Sequence, residues 1–196
     1  MMIKKKLVLA SGSPRRRALL RQIGMSFEAR ESGVHEAGVL NLSPGEQVIA
    51  LSTRKAATVA SGESNAIVVG ADTIVLIDGS VLGKPSSHQE ARNMLATLSG
   101  RSHEVYTGFT LVDCPSSKSV SALEVTKVTF RVLDEDEIEE YVRSGSPMDK
   151  AGAYGIQDDY GAVFVERVEG CFYNVMGFPL ARFYSTLKDF QQQLKI

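Results

Sequence analysis

The stretch "AIVVGADTIVLIDG", Ala66 to Gly79, decides the architecture. Ala66–Ala71 is continuously apolar, the pattern of a central strand buried on both faces rather than one alternating between core and water. Thr73–Ile77 continues extended, and Asp78-Gly79 is a two-residue hairpin signal. Asp72 interrupts the run where the apolar stretch ends. Ligands of α/β sheets gather at strand ends, so this carboxylate is a candidate to ligate Mg²⁺ or to accept a proton from water. Its purely structural alternative is to brace a bend through bonds to the backbone.

Upstream, "LVLASGSPRRRALLRQIG", Leu7 to Gly24, runs from a short apolar strand, Leu7–Ala10, into a helix. Ser13 caps that helix and Pro14 takes its first position. Ala18, Leu19 and Ile23 recur at helical spacing, and Gly24 ends the segment. Arg15, Arg16 and Arg17 stand in the first turn, where each cation costs about 0.3–1 kcal/mol against the helix dipole. Ser11, Gly12 and Ser13 offer N–H groups and hydroxyls at the same positive end, which is a ready anion site, and arginine adds bidentate recognition of phosphate. The alternative is solvated surface, with Arg17 its best candidate. Ser26–Arg30 reads as a second strand.

Between these two stretches, "SPGEQVIALSTRKAATVA" opens with the Ser43/Glu46 capping box and has an apolar face of Ile49, Ala50, Ala56, Ala57 and Ala60. Lys55 lies within it, able to reach a phosphate or to lie along the surface. Downstream, "LGKP" falls short of a phosphate loop, because Pro85 stands where Ser or Thr is needed; Lys84 remains a point charge for phosphate. A helix follows with Ala91, Met94, Leu95 and Leu98, ending at Gly100. "SHEVYTGFTLVD" and "LEVTKVTFRVL" alternate as an antiparallel pair, with Val128, Phe130 and Val132 on one face. Asp134 caps a helix whose core face is Ile138, Tyr141 and Val142. In "DKAGAYGIQ" the glycines allow close backbone approach, and Gln157 offers a donor and an acceptor suited to a nucleobase edge; an irregular loop is the plain alternative. A strand over Ala162–Val168 and a helix from Pro179 complete the pattern.

The order begins βαβαβ and turns hairpin-rich, which predicts a mixed sheet flanked by helices, an α/β chain of two lobes around a cleft with the change near Lys84. At 196 residues and 43% hydrophobic the chain reads as a packed globular domain, and a net charge of −1 leaves no global field for nucleic acid or membrane. Any anion site is therefore local. Two distant cysteines, Cys114 and Cys171, read as reduced thiols. No run approaches the roughly 18–20 apolar residues of a membrane span, and Leu7–Ala10 is too short for a secretory signal. These features predict a cytoplasmic protein. His35, His88 and His103 form no zinc spacing with the cysteines.

Taken together, "LASGSPRR", Glu36, "TRKA", "VVGADTIV", "LGKP", "LSGRSHEVYTG", "VTKVTF", "DKAGAYGIQ" and "GCFYNVMGFPL" resemble the Maf family of nucleotide pyrophosphatases, in family order and over nearly the whole chain. The resemblance implies one Maf-like domain over residues 1–196, two-lobed around a strongly bent mixed sheet similar to inosine triphosphate pyrophosphatases. It implies a homodimer that uses a divalent cation, Mg²⁺ or Mn²⁺, and cleaves a nucleoside triphosphate between the α and β phosphates. By the family pattern Ser11, Arg15, Arg16, Lys55 and Lys84 bind phosphates. Asp72 is then the general base or a metal-linked carboxylate, Glu36 joins the metal site, and Gln157 lies in the base-reading segment. "GADT" and "AYGIQ" look like the branch acting on dTTP and UTP, with modified uridine triphosphates as further substrates. The alternatives are the 7-methyl-GTP branch and a nucleotide-binding regulator of septum formation; an RNA-binding module is disfavoured by the charge. The sequence departs from the family pattern at His35, Asp158 and Cys171.

Overall fold

The computed structural model describes residues 5–35, 38–39, 41–114, 116–157 and 160–195. Its seven-stranded sheet has the order β2-β1-β3-β5-β6-β7, with β4 paired to β3. The strands are β1 (Lys6–Leu9), β2 (Glu28–Ala29), β3 (Ala66–Ile77), β4 (Ser80–Leu82), β5 (Ser102–Cys114), β6 (Ser119–Phe130) and β7 (Val165–Glu169). The helices are α1 (Pro14–Gln22), α2 (Pro44–Ala60), α3 (His88–Leu98), α4 (Glu135–Arg143), α5 (Gly161–Phe164), α6 (Phe172–Val175) and α7 (Leu180–Gln193). The chain divides into two compact units. One comprises Met1–Asp72, Thr107–Glu124 and Gly177–Ile196, the other Thr73–Tyr106 and Val125–Met176. The first break in the chain between these units falls after Asp72, within β3. Among the described residues no helix is long and apolar enough to cross a membrane.

In the first unit β1 runs parallel to β3 in the register Lys6↔Ala66 to Leu9↔Val69, and Ala10 N–H donates to Val69 O at 2.8 Å. Parallel pairing brings the Ser11 turn and the Ala71-Asp72 segment to the same end of the paired stretch, beyond which β3 continues to Ile77. Val8, Ala10, Ala56, Val59, Ala66 and Val68 pack together beside them. Phe109, Phe178 and Phe183 form a buried aromatic cluster, with ring centroids 4.8–5.9 Å apart.

Two helix faces differ from those expected. In α1 the buried pair is Leu19 and Leu20, whereas Ala18 is exposed and Ile23 is the C-cap, 38% exposed. The chain reverses at Gly24 (φ +71°), so Ile23 cannot extend the helical face, and Met25 folds under it instead. In α2 the buried residues are Gln47, Val48, Leu51, Ser52, Ala56 and Val59; Ile49 and Ala50 are half-buried and Ala57 is exposed. This helix is rich in small residues on all sides, so hydropathy does not mark the docked face. Two sheet glycines do. A Cβ on Gly70 would lie 2.2 Å from Ser52 O, and one on Gly108 would lie 2.8 Å from the Val48 carbonyl carbon.

In the second unit Ile77↔Ser80 closes a two-residue hairpin with Asp78 and Gly79 both at positive φ (49° and 76°), as its right-handed strand twist requires. α3 buries Ala91, Met94, Leu95 and Leu98, and α4 buries Ile138, Tyr141 and Val142, as their spacing predicts. These pack with Val75, Val105, Val128, Phe130 and Phe164. Val132 is 74% exposed, because β6 ends at Phe130 and the chain leaves the sheet toward the Asp134 cap. Residues 161–164 are a helical turn, not the start of a strand. Gly161 and Phe164 are buried and the two between them exposed, a spacing of three.

Candidate active site

The first unit gathers Ser11, Arg16, Lys55 and Asp72. Ser13 is the N-cap of α1, its Oγ accepting from Arg16 N–H at 3.5 Å, and Ser13 N–H in turn donates to the buried Ser11 Oγ at 3.2 Å. The cap fixes the first turn and with it the direction of Arg16. That guanidinium spans three anchors: Nε donates to Gly177 O at 2.9 Å, and Nη1 to Ala71 O at 3.0 Å and Ser11 Oγ at 3.3 Å. A planar fork can satisfy acceptors on three segments at once, which an ammonium cannot. Arg16 therefore ties the β1–α1 turn to the end of the apolar run of β3 and to the Gly177 turn.

The residue after Ala71 is Asp72, 6% exposed. Lys55, projecting from α2, brings Nζ to 2.5 Å from Asp72 Oδ1, and its own side chain is only 14% exposed. A carboxylate this deep needs a charged partner, because desolvating a lone charge is expensive. Arg16, Lys55 and the Asp72 carboxylate thus gather where the parallel β1–β3 pairing ends, at the C-terminal end of β1 and partway along β3; strand ends are where α/β sheets bind ligands.

Of the residues singled out from sequence, Ser11, Ser13, Arg16, Lys55 and Asp72 come together here. Arg15 is half-buried in the same helical turn, and Arg17 turns back so that Nη2 donates to Gly12 O at 3.1 Å. Lys84 and Gln157 belong to the second unit. Lys84 is exposed in the loop after β4, Gln157 is half-buried beyond Ile156, and Gly152 N–H donates to Gly83 O at 3.0 Å, joining their two loops. Glu36 and Asp158 lie outside the described residues. Side-chain reasoning does not reach the Gly177 carbonyl or the two glycines under α2, Gly70 and Gly108; their signal is one Gly each in "VMGFPL", "VVGADTIV" and "VYTGFT", explained by backbone contacts rather than by side-chain chemistry.

Among the described residues no three His, Cys, Asp or Glu side chains form a metal cluster. Asp72 nevertheless suits a hard cation: Mg²⁺ commonly takes one or two protein carboxylates and completes its shell with substrate phosphates and water.

A family model described as Maf-like protein matches residues 6–190. A dTTP/UTP pyrophosphatase of Pelotomaculum thermopropionicum is 50% identical over 186 residues, 95% of this chain and 97% of the relative. One of Carboxydothermus hydrogenoformans is 49% identical over 94% of this chain and 98% of the relative. One of Bacillus mycoides is 46% identical over 97% and 98%. Among solved structures, the Staphylococcus aureus Ham1 protein is 14% identical, covers 64% of this chain and 72% of its own, and has a TM-score of 0.46.

Proposed function

This chain belongs to the family of Maf-like proteins, and on that premise we propose that it is a nucleoside triphosphate pyrophosphatase that hydrolyses dTTP and UTP to the monophosphate and pyrophosphate. The observation that carries the reading is the buried Lys55–Asp72 pair, set beside the Ala71 carbonyl that holds Arg16. Relatives named dTTP/UTP pyrophosphatase that match nearly the full chain support the choice of base.

The residues divide the work as follows. Arg15, Arg16 and the Ser11–Ser13 turn receive the phosphate chain, whose charge reverses the cost of cations at a helix start. Lys55 holds Asp72 while no substrate is bound. A triphosphate offers the ammonium competing anionic oxygens, and its move toward them leaves the carboxylate to take a proton from water. The water oxygen bonds to the α-phosphorus, the bond from that phosphorus to the bridging oxygen breaks, and its electron pair leaves with pyrophosphate. Lys84 binds phosphate and Gln157 reads the base; Gly152 and Gly83 link their loops. A divalent cation, Mg²⁺ or Mn²⁺, held by Asp72 and Glu36, would supply charge neutralisation and polarise the phosphoryl oxygens.

We further propose a cytoplasmic homodimer. Cys114 and Cys171 are free thiols, which suits a reducing compartment. The test is pyrophosphate release from dTTP, UTP, modified uridine triphosphates, CTP and 7-methyl-GTP, with Mg²⁺ or Mn²⁺. Fastest release from dTTP and UTP is expected. Preference for 7-methyl-GTP moves the chain to the other branch, and binding without release leaves the regulator.

A further inference from the structure

α2 touches the sheet with its backbone. A Cβ on Gly70 would meet Ser52 O at 2.2 Å and Ala56 N at 2.6 Å, and one on Gly108 would meet Val48 and Ile49 backbone atoms at 2.8–2.9 Å. Between these two points of contact lies a connected set of hydroxyls. Thr110 Oγ1, fully buried on β5, is 2.9 Å from Ser52 Oγ, 2.9 Å from Thr53 Oγ1 and 2.8 Å from Ser121 Oγ. Ser52 Oγ donates its one proton to Ile49 O at 2.8 Å. It must therefore accept from Thr110, whose two lone pairs take the protons of Thr53 and Ser121. All three hydrogen-bonding capacities of the Thr110 hydroxyl are then filled.

We propose that Thr110 is a positioning residue for the Lys55–Asp72 pair: its hydroxyl fixes the depth and rotation of α2 from which Lys55 reaches Asp72. The inference rests on the reading of that pair as part of the reacting site. Ser52 and Thr53 precede Lys55 by less than one helical turn, so any slide or roll of the helix at Thr110 is carried directly to Nζ. Stability alone does not require hydroxyls here, since replacing buried hydrogen-bonding partners by apolar groups of the same shape can be nearly neutral. What hydroxyls add is direction. Misplacing a reacting group by about 1 Å costs on the order of 10²-fold in rate, and backbone contact at two glycines resists approach but not sliding.

The experiment compares Thr110→Val, which keeps shape and loses the hydroxyl, with Thr110→Ser, which keeps the hydroxyl. The first readout is amine labelling of the native protein followed by mass spectrometry, with exposed Lys188 as the internal standard. Lys55 labelling is expected to rise several-fold in Thr110→Val and to stay within twofold of wild type in Thr110→Ser. The second readout is kcat/KM for dTTP. Thr110→Val should lose about tenfold in the wild-type background and less than twofold in a Lys55→Met background, since an effect transmitted through Lys55 disappears with it. Unchanged Lys55 labelling, or an equal loss in both backgrounds, would overturn the proposal. Should Thr110→Val not fold, Thr53→Val and Ser121→Ala remove the other two legs, and wild-type labelling of Lys55 in both overturns it equally. If the wild-type protein releases no pyrophosphate, the functional reading fails, and the labelling result alone decides the positioning role.

Discussion

Lys55 Nζ and Asp72 Oδ1 stand 2.5 Å apart, with side-chain exposures of 14% and 8%, on elements that meet only because a helix lies against bare glycine in the sheet. A nearly buried ion pair is weak evidence of stability, since desolvation offsets much of the attraction. Its value lies in holding one carboxylate at a defined point. Asp72→Asn is expected to keep the fold, because the amide oxygen can still accept from Lys55. Turnover of dTTP should fall by about 10²–10⁴-fold, the range for losing a general base, and the melting temperature should drop by several degrees. Pyrophosphate release at a near-normal rate removes Asp72 from the role of base.

How much of this was legible in the sequence depends on which groups carry each feature. β3 was readable because burial on both faces writes an unbroken apolar run, and the hairpin at Asp78-Gly79 because its φ values suit few other residues. α3 and α4 announce their buried faces through large apolar side chains. The face of α2 does not, because it is set by backbone contact of Ser52 and Ala56 with Gly70 and of Val48 and Ile49 with Gly108, glycines that lie in distant strands. The phosphate-binding role expected of Arg16 omitted its structural one for the same reason. Carbonyl acceptors at Ala71 and Gly177 leave no trace in side-chain identity.

Arg16 should accordingly show two phenotypes where surface phosphate binders show one. Charge-assisted hydrogen bonds contribute about 1.5–3 kcal/mol each when buried and less when half-exposed, so Arg16→Ala should cost roughly 2–3 kcal/mol of stability by urea unfolding and also raise KM for dTTP. Arg16→Lys should recover little of either, because one ammonium cannot reach Gly177 O, Ala71 O and Ser11 Oγ together. A raised KM with unchanged stability returns Arg16 to a purely ligand-binding role.

Gly70→Ala tests the helix contact itself. The new methyl group would sit 2.2 Å from Ser52 O and 2.6 Å from Ala56 N, both backbone atoms that cannot swing aside. Overpacking ordinarily costs about 1–3 kcal/mol, and rigid neighbours push toward the top of that range or beyond. Activity should fall further than stability, since α2 must rise off the sheet and take Lys55 with it. Gly83→Ala is the control: nothing lies within 4 Å of its Cβ position, and stability should change by less than about 0.5 kcal/mol. Equal stability of the two variants contradicts the close approach.

His103 supplies the pH dependence. It is 2% exposed, its Nε2 is 2.8 Å from the Tyr154 hydroxyl, and its ring packs edge-on against Phe130. Burial pushes its pKa down to about 4 from the ordinary 6.5, since the imidazolium cannot be solvated there. The folded protein then binds this proton less readily than the unfolded chain. Above about pH 6.5 both states hold a neutral ring and nothing is lost. As the pH falls from about 6.5 to about 4 only the unfolded chain gains the proton, so stability declines across that window by at most about 3 kcal/mol, and below it the loss is complete. Carboxylates titrate in the same range, so the quantity to measure is a difference. The stability of wild type relative to His103→Gln, from urea unfolding at a series of pH values, should fall steadily between pH 6.5 and 4 and be constant above. A difference that stays level down to pH 4 means that His103 takes up its proton in the folded state, and that its neutral contact with Tyr154 is not what holds the ring in place.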